Sequence, residues 1–297
     1  MTRWDEMIDN LVDLLPAAAT VVVDGAGERN GLVADRLAAQ RVSVTSGPCW
    51  RESRPDVLVW LRVPPASVDS PEHQADVVID LHDPQWPVIR HVDPRLADRT
   101  RWYLPESRAF FATRAATWDA KFGDDLPAYA AAVAEAALAA GGVAVDVGCG
   151  TGRALPALRA AVGPTGRVLG IDITPEMLAV AAERAGSLRA LLLLADARRL
   201  PLPDGAVDGI FAAGLVAHLP DPTAGLRELA RVTRPGGRLV IFHPSGRAAL
   251  AARHGRPLRA DEPLSPGPLA ASTHASGWRL DTYCDDEHRF LALATRD

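Results

Sequence analysis

Short apolar runs alternate with stretches of helical spacing through the second half of the chain. The runs predict strands, and stretches whose apolar residues recur every three or four positions predict helices. Strands are predicted at residues 143–147, 167–172, 190–194, 207–213 and 237–242, and helices at 153–162, 175–185 and 222–232. This alternation predicts a mostly parallel sheet with helices on both faces. Two further runs, 278–283 and 290–295, flank a polar turn and predict an antiparallel hairpin that closes the sheet.

The first hundred residues show a weaker pattern of the same kind. Strands are predicted at residues 20–25, 56–61 and 75–80, and a helix at 31–40. Prolines predict a loop over residues 63–71, and residues 84–105, which have no clear period, predict a connector. We therefore expect a smaller α/β domain at residues 1–100, in front of a second domain at residues 101–297.

Two helices are predicted at the start of the second domain. Residues 106–121 have helical character and are followed by a break at Gly123. Residues 127–140 are rich in alanine and end at two glycines, a common way to stop a helix. We expect residues 101–140 to form helices that cap the sheet.

Composition narrows the class of protein. The chain has 297 residues, of which 48% are hydrophobic, as in a globular protein. No apolar run approaches the roughly 20 residues of a membrane span, and acids near the N-terminus do not fit a secretory signal. Three scattered cysteines fit a reducing compartment, and the net charge of −5 argues against a broad nucleic-acid surface. We expect a cytoplasmic protein with no metal, nucleic-acid or membrane partner.

The most informative segment is Asp-Val-Gly-Cys-Gly-Thr-Gly at residues 146–152. It follows a predicted buried strand and opens a helix, which is the context that gives a glycine-rich turn meaning. Glycines at alternate positions let the backbone bend tightly and approach a ligand closely. The segment predicts a site for a nucleotide-like ligand at the carboxyl edge of the sheet.

The carboxylate of Asp146 helps to distinguish between two classes of nucleotide-like ligand. A dinucleotide pyrophosphate at this turn would be repelled by the carboxylate, whereas a ligand that carries an ammonium and a sulfonium would be attracted. The alternative is that Asp146 only caps the turn that follows it.

Two later acids extend the pattern. Asp172 ends the next predicted strand and stands where a carboxylate accepts hydrogen bonds from ribose hydroxyls, although it can also cap the following helix, for which Thr174 is the more natural residue. Asp196 follows the third strand and can accept a hydrogen bond from an adenine amino group, or be an ordinary loop acid.

Taken together, these segments resemble the class I S-adenosylmethionine (SAM)-dependent methyltransferase family over residues 106–297. Residues 146–152 are similar to its first motif, 166–178 to its ribose-binding segment, and 195–208 to its adenine-binding segment. Residues 218–239 resemble the segments around the fifth strand. The resemblance implies a Rossmann-like sheet, SAM as cofactor and S-adenosylhomocysteine (SAH) as product.

Carried onto this chain, the resemblance also implies roles for single residues. Backbone at Gly148 and Gly150, with Asp146, would hold the methionine part of the cofactor, and Ala213 and Gly214 would lie under its sulfonium. Arg114 and Trp118 lie in the helix that would cover the cofactor, although simple helix packing explains them equally well. The candidate cofactor-binding residues are Asp146, Gly148, Cys149, Gly150, Gly152, Asp172, Ile173, Asp196, Ala197, Ala213, Gly214, Arg114 and Trp118.

The acceptor is less determined. An activated methyl group chiefly needs an O, N or C nucleophile held in line with its sulfur for direct displacement. His218 and His243 follow the fourth and fifth strands and are candidate bases or substrate contacts, although a structural role for each is the stronger interpretation. Residues 244–277 are expected to shape an acceptor pocket. We expect a small-molecule acceptor.

The N-terminal segment at residues 21–38 faintly resembles the start of a nucleoside- or uridine-kinase-like P-loop domain. It lacks the Gly-Lys-Ser/Thr that phosphate and Mg²⁺ binding require. We therefore expect no phosphotransfer, and expect a degenerate domain that supports a homodimer or a pocket wall. Two alternatives for the whole chain remain at this point: an NAD-type oxidoreductase, and a SAM-fold binding or scaffold protein without turnover.

Overall fold

The computed structural model describes residues 1–52, 54–63, 70–96 and 101–297. Its contacts divide the chain into two compact units. The first contains residues 1–110 and 254–257, and the second contains residues 111–253 and 258–297. The predicted loop at residues 63–71 lies largely outside the described residues. Within the described residues, no helix combines the length and the apolar character that crossing a bilayer requires.

The first unit is a five-stranded sheet with helices. Its strands are β1 (Thr20–Asp24), β2 (Ser43–Ser46), β3 (Val57–Arg62), β4 (Val77–Asp80) and β5 (Val88–Val92), and its helices are α1 (Arg3–Leu14), α2 (Glu28–Ala39) and most of α3 (Tyr103–Ala112). The strand order is β2-β1-β3-β4-β5, and all neighbouring strands are parallel except β4 and β5. The predicted strands at 20–25, 56–61 and 75–80 and the helix at 31–40 are therefore confirmed.

The predicted connector at residues 84–105 was wrong where the structure describes it. Val88–Val92 forms the edge strand β5, and α3 begins at Tyr103. Both elements gather around Glu106, a fully buried residue whose carboxylate accepts the backbone N–H of Ile89 at 2.7 Å and pairs with Arg3. Such long-range polar contacts leave no periodic trace in the sequence, so the pattern could not reveal these elements.

The second unit is a seven-stranded sheet with helices. Its strands are β6 (Val143–Val147), β7 (Arg167–Asp172), β8 (Leu191–Leu194), β9 (Val207–Ala213), β10 (Thr233–His243), β11 (Trp278–Asp285) and β12 (Phe290–Arg296). Its helices are α4 (Trp118–Phe122), α5 (Leu126–Glu135), α6 (Leu155–Val162), α7 (Pro175–Ser187), α8 (Pro222–Val232), α9 (Arg247–Arg253) and α10 (Pro266–Ala275).

The order of this sheet is β11-β12-β10-β9-β6-β7-β8. Strands β6 to β10 are parallel, and β12 runs antiparallel to both β10 and β11. The predicted α/β class, with a Rossmann-like parallel sheet and an antiparallel closing hairpin, is confirmed. Because β7 and β9 flank β6 on opposite sides, the chain reverses its direction across the sheet there, and open α/β sheets bind ligands at the carboxyl ends of such strands.

The core of the second unit explains why its strands were easy to predict. Phe211 of β9 and Phe242 of β10 are almost fully buried, and their ring centroids lie 5.7 Å apart. Tyr129 of α5 packs edge-on against Phe242 with 5.0 Å between centroids. Strands that are buried on both faces read as continuous apolar runs, which is the pattern that the sequence shows.

Two predicted helices differ from the structure. The helix predicted at residues 106–121 is divided into α3, a 3₁₀ turn at Ala115–Thr117 and α4. The breaks let the rings of Phe111 and Trp118 meet with 5.9 Å between centroids, whereas seven positions along a continuous helix span about 10.5 Å. The helix predicted at residues 127–140 ends at Glu135. Beyond it, Ala137 has a φ of 50°, and Leu138 packs over Gly209, where a Cβ would lie 2.4 Å from its methyl group.

Candidate functional site

The loop after β6 has a backbone that only glycine adopts readily. Gly148, Gly150 and Gly152 have φ values of 73°, 51° and 80°, in the left-handed region. The spacing of the three glycines therefore reflects a real backbone requirement. At Gly152 the space is also restricted, because an added Cβ would lie 2.8 Å from Leu155 Cδ1.

The N–H groups of this loop are largely used within the chain. The N–H groups of Gly148 and Cys149 both donate to Ile171 O, at 2.8 and 3.0 Å. The N–H of Gly150 donates to Asp172 Oδ2 at 2.8 Å, and that of Gly152 donates to Cys149 O at 2.8 Å. The first three hydrogen bonds hold the loop against β7, and the fourth closes the loop on itself. A ligand would thus meet the Cα atoms and carbonyls of the loop rather than a ring of free N–H groups.

Asp146 is a buried carboxyl at the second-last residue of β6. It is only 2% exposed, and within the described residues no group donates a hydrogen bond to it. Burial, reinforced by the nearby charge of Asp172, raises the pKa of Asp146 well above its usual range. An uncompensated buried carboxyl is costly when ionised, so this position favours a ligand that brings positive charge.

Asp172 ends β7 beside the glycine loop and is 8% exposed. Its Oδ2 accepts the N–H of Gly150, and its Oδ1 accepts the N–H of Thr174 at 2.8 Å. Burial raises the pKa of Asp172, although these backbone hydrogen bonds oppose the shift. The Thr174 hydroxyl and the Ile173 N–H also lower the pKa of this carboxyl, so a ribose hydroxyl would share the carboxylate with these groups.

Asp196 is already engaged by a neighbour. Both of its carboxylate oxygens accept from the guanidinium of Arg198, with Nη2 to Oδ2 at 2.7 Å, and Oδ1 also accepts the Arg198 N–H. An adenine amino group would share this carboxylate with the guanidinium. Ala197 is buried beside it, whereas Ile173 after β7 is half-buried, as a residue that packs on a flat ring would be.

Ala213 and Gly214 lie at the end of β9, on the other side of β6. Gly214 has a φ of 66°, and its N–H donates to Phe242 O at 2.9 Å. The next residue, Leu215, approaches the glycine loop, because a Cβ on Gly148 would lie 3.2 Å from Leu215 Cδ1. The structure therefore brings the loops after β6 and β9 together at the point where the strand order reverses.

Cys149 contributes its backbone more than its thiol. Its side chain is buried and points at β7, where a Cβ on Gly170 would lie 3.0 Å from its Sγ. Burial, together with Asp146 and Asp172, raises the pKa of the Cys149 thiol well above its usual range. Because the thiol stays protonated at neutral pH, it is not a nucleophile.

The residues that precede α5 form a half-buried aromatic group. The Phe111 ring packs edge-on against Trp118 and against His218, with centroids 5.9 and 5.7 Å apart. Trp118 and His218 thus share one aromatic neighbour although they lie 100 positions apart in the sequence. Arg114 is half-buried in the turn between α3 and α4, and its guanidinium contacts the Thr113 hydroxyl at 3.4 Å.

His243 ends β10 and its ring is held by the following residues. Its Nδ1 lies 2.9 Å from Ser245 O and 3.1 Å from Ser245 N. Burial lowers the pKa of His243, and the charge of nearby Arg253 acts in the same direction, against the hydrogen bond to Ser245 O and the charge of Asp125. The ring is therefore neutral at pH 7, the state that a base or a neutral substrate contact needs.

Several charged residues at this edge escaped the sequence analysis. Arg153 follows the glycine loop directly and is 5% exposed. Its guanidinium pairs with Asp119 and Asp125, and it donates to Gly123 O at 2.6 Å. Arg184 of α7 also pairs with Asp119. The pairs join residues 28 to 65 positions apart, so no local pattern reveals them.

Two buried carboxyls, Asp146 and Asp172, thus lie beside the glycine loop, and a bound cation would stabilise the ionised form of Asp146. Among the described residues, no three His, Cys, Asp or Glu side chains are grouped so as to hold a metal ion.

The comparisons with known proteins match the part of the chain that contains the glycine loop. Residues 145–241 match the family model of a methyltransferase domain. A demethylmenaquinone methyltransferase of Staphylococcus aureus (strain JH9) is 41% identical over 103 residues, which are 34% of this chain and 43% of that protein. An uncharacterized 37.1 kDa protein in transposon TN4556 of Streptomyces fradiae is 45% identical over 102 residues, which are 34% of this chain and 30% of that protein. The chain thus spans less than half the length of these curated relatives.

A solved structure gives the same fold. A chain from the complex that contains the Haloferax volcanii Trm112 methyltransferase activator superimposes with a TM-score of 0.52 at 21% sequence identity, covering 63% of this chain and 97% of that one. The family model and the named relative both identify this segment with a methyltransferase. Residues 145–241 are a methyltransferase domain, and the second unit of this chain has the class I SAM-dependent methyltransferase fold.

Proposed function

We propose that this chain binds SAM at the loop of residues 146–152 and transfers its methyl group to a small-molecule acceptor. SAM would supply a methyl group that is already activated by a sulfonium. The protein would supply position and charge: Asp146 for the ammonium, Asp172 for the ribose, and the loop after β9 beneath the sulfonium.

The observation that carries this proposal is the state of Asp146. The carboxyl is buried and has no hydrogen-bond donor within the described residues, and its pKa is strongly raised. A stable fold rarely keeps such a group without a use. A cation bound beside it would remove the penalty of burying the charge, and the ammonium of SAM is such a cation.

The same loop speaks against an NAD-type oxidoreductase. A pyrophosphate binds to free backbone N–H groups at a helix N-terminus. Here the N–H groups of Gly148, Cys149, Gly150 and Gly152 are donated within the chain. A pyrophosphate would also bring negative charge beside Asp146, a buried carboxyl whose ionised form only a cation would stabilise. Both features weaken the dinucleotide alternative.

The proposal that the acceptor is a small molecule has weaker support than the proposal that the cofactor is SAM. One relative is named for demethylmenaquinone, a small molecule, although the match covers only part of that protein. His218 contacts Phe111 and follows β9, and the neutral His243 ends β10. We propose that they contact the acceptor, and that His243, whose ring burial keeps neutral, can accept a proton from it.

We also propose that the first unit is not a kinase. In the glycine turn after β1, the Asp24 carboxylate occupies the donors that a phosphate would need. It accepts the Gly25 N–H at 2.8 Å, the Asn30 amide N–H at 3.1 Å and the Trp50 indole N–H at 2.9 Å. A carboxylate in this position would repel a phosphate. A supporting role in a homodimer fits this unit better, and native mass spectrometry of the full chain tests it: a monomer at micromolar concentration would exclude the dimer.

Calorimetry decides between the cofactors. Titration of the full chain with SAH is expected to give saturable binding with one site per chain, whereas NADH is expected to give none. Tight NADH binding with no SAH binding would overturn the proposal. Incubation with methyl-labelled SAM and a cell metabolite extract then separates an enzyme from a binding protein, because only an enzyme moves the label into a small molecule.

A further inference from the structure

Asp119 lies on the five-residue helix α4, opposite the glycine loop. Its Oδ1 accepts the Thr151 hydroxyl at 2.5 Å and Arg153 Nη1 at 3.0 Å, and its Oδ2 accepts Arg184 Nη2 at 3.0 Å. Thr151 stands between two glycines of left-handed conformation and is 1% exposed. One carboxylate on α4 therefore contacts the glycine loop at two residues and helix α7 at a third.

The partners of Asp119 reinforce this connection. Arg184 also donates to Thr151 O, so α7 and α4 both contact the same loop residue. Arg153 continues to Asp125 and Gly123 O, at the far end of α4. Both ends of the short helix are thus tied to the segment that immediately follows Gly152.

This network joins α4 to the glycine loop and to α7. A helix of five residues has little stability of its own. Burial alone would raise the pKa of Asp119, but hydrogen bonds from Thr151, Arg184 and Arg153 hold it below its usual range, so the carboxylate is charged at neutral pH. The Asp119 side chain is 36% exposed, so solvent weakens each of its ion pairs.

We propose that Asp119 is a positioning residue for cofactor binding, which fastens α4 to the glycine loop and so sets how long the cofactor stays bound. The inference rests on the proposed function, because it needs a cofactor at residues 146–152. Asp119 acts through Thr151, Arg153 and Arg184, and it need not touch the cofactor itself.

The test compares Asp119→Asn with a matched control, Asp208→Asn, in the full chain. Asp208, like Asp119, is a carboxylate that pairs with an arginine, here Arg234, and it accepts the Val143 N–H at 2.7 Å, but it lies at the opposite edge of the sheet. The melting temperature without ligand reports stability. Stopped-flow measurement of SAH association and dissociation reports positioning, which a purely structural role would leave unchanged.

We expect Asp119→Asn to raise the SAH dissociation rate about tenfold with little change in association, a difference of about 1.4 kcal/mol. Asp208→Asn is expected to lower the melting temperature but keep the parental dissociation rate. Hydrogen exchange should show that SAH protects residues 118–125 in the parent and not in Asp119→Asn.

A second variant keeps the test decisive if Asp119→Asn does not fold. Thr151→Val removes only the hydroxyl donor, and we expect a smaller rise in the dissociation rate in the same direction. Parental dissociation rates in the variants that fold would overturn the role of Asp119 while SAH binding by the parent still supports the proposed function. Absence of SAH binding by the parent would overturn both.

Discussion

Replacing Asp146 by asparagine should make the free protein more stable and the ligand complex weaker. The side chain keeps its shape but loses its charge, in a place where the carboxyl is 2% exposed and has no hydrogen-bond donor within the described residues. Because burial raises the folded-state pKa, the carboxyl stabilises the fold fully only below its unfolded pKa. That stability is lost as pH rises toward the folded pKa.

The size of the effect follows from this linkage. Each pH unit between the unfolded and the folded pKa of Asp146 removes about 1.4 kcal/mol of stability from the parent, and Asp146→Asn does not lose it. For a unit of this size, each kcal/mol moves the melting temperature by about 2–4 °C. Asp208→Asn is again the control, with the opposite sign, because the pKa of Asp208 is lowered by its hydrogen bonds with Val143 and Arg234, which outweigh burial.

Ligand binding should show the complementary effect. If the ammonium of SAH ionises Asp146, binding releases a proton at pH values between the pKa of Asp146 in the complex and its raised pKa in the free protein, and the affinity rises about tenfold per pH unit over that range. Calorimetry in buffers of different ionisation enthalpy counts the protons. In Asp146→Asn the proton release should vanish and the affinity should fall at least tenfold. An asparagine variant that binds SAH as tightly as the parent and melts no higher at pH 7 would refute the reasoning.

Three further outcomes follow from the same edge of the sheet. In urea unfolding, Gly152→Ala should lower the free energy of unfolding by roughly 1–2 kcal/mol for its left-handed φ alone. It should lower it by more than Gly150→Ala does, because a Cβ at residue 152 would lie 2.8 Å from a leucine methyl, whereas at Gly150 the nearest atom is 4.0 Å away. Equal losses in the two variants would contradict the steric argument. The NMR titration of His243 should give a pKa below 6.5, since burial disfavours the imidazolium; a higher value would remove it as a base. Iodoacetamide at pH 8 should modify exposed Cys49 and spare buried Cys149, as peptide mass spectrometry would show; fast labelling of Cys149 in the native protein would mean that the loop opens.

The strands of the second unit could be predicted closely because their patterns are local. The run at residues 207–213 and the run at residues 143–147 became β9 and β6 with the same bounds. Buried parallel strands need unbroken apolar residues, and tight turns with a positive φ favour glycine. Both patterns span only a few consecutive residues, so they can be recognised from the sequence. Asp146 and Asp172 could be predicted to lie at one edge of the sheet for a similar reason. Each stands at the carboxyl end of a predicted strand, and the strands are parallel neighbours.

Other features depended on groups that are distant in the sequence. Helix α5 stopped at Glu135 because the chain turns to place Leu138 over Gly209, and β5 formed beside Glu106, whose carboxylate the sequence could not show to be buried. Even the pairing of Asp196 with Arg198, only two positions along the chain, depends on how the side chains fold back in the loop after β8. Each of these depends on a contact that propensity does not encode.

The sequence by itself determined the class of the fold, the backbone of the glycine loop and the two acids beside it, because periodicity, left-handed glycines and strand-end residues act over a few positions. Only the tertiary structure decided that Asp146 has no described hydrogen-bond donor, that the loop N–H groups are used within the chain, and that Asp119 joins α4 to Thr151, Arg153 and Arg184. Charge, burial and hydrogen-bond partners are properties of packed neighbours, and packing brings together residues that the chain keeps far apart.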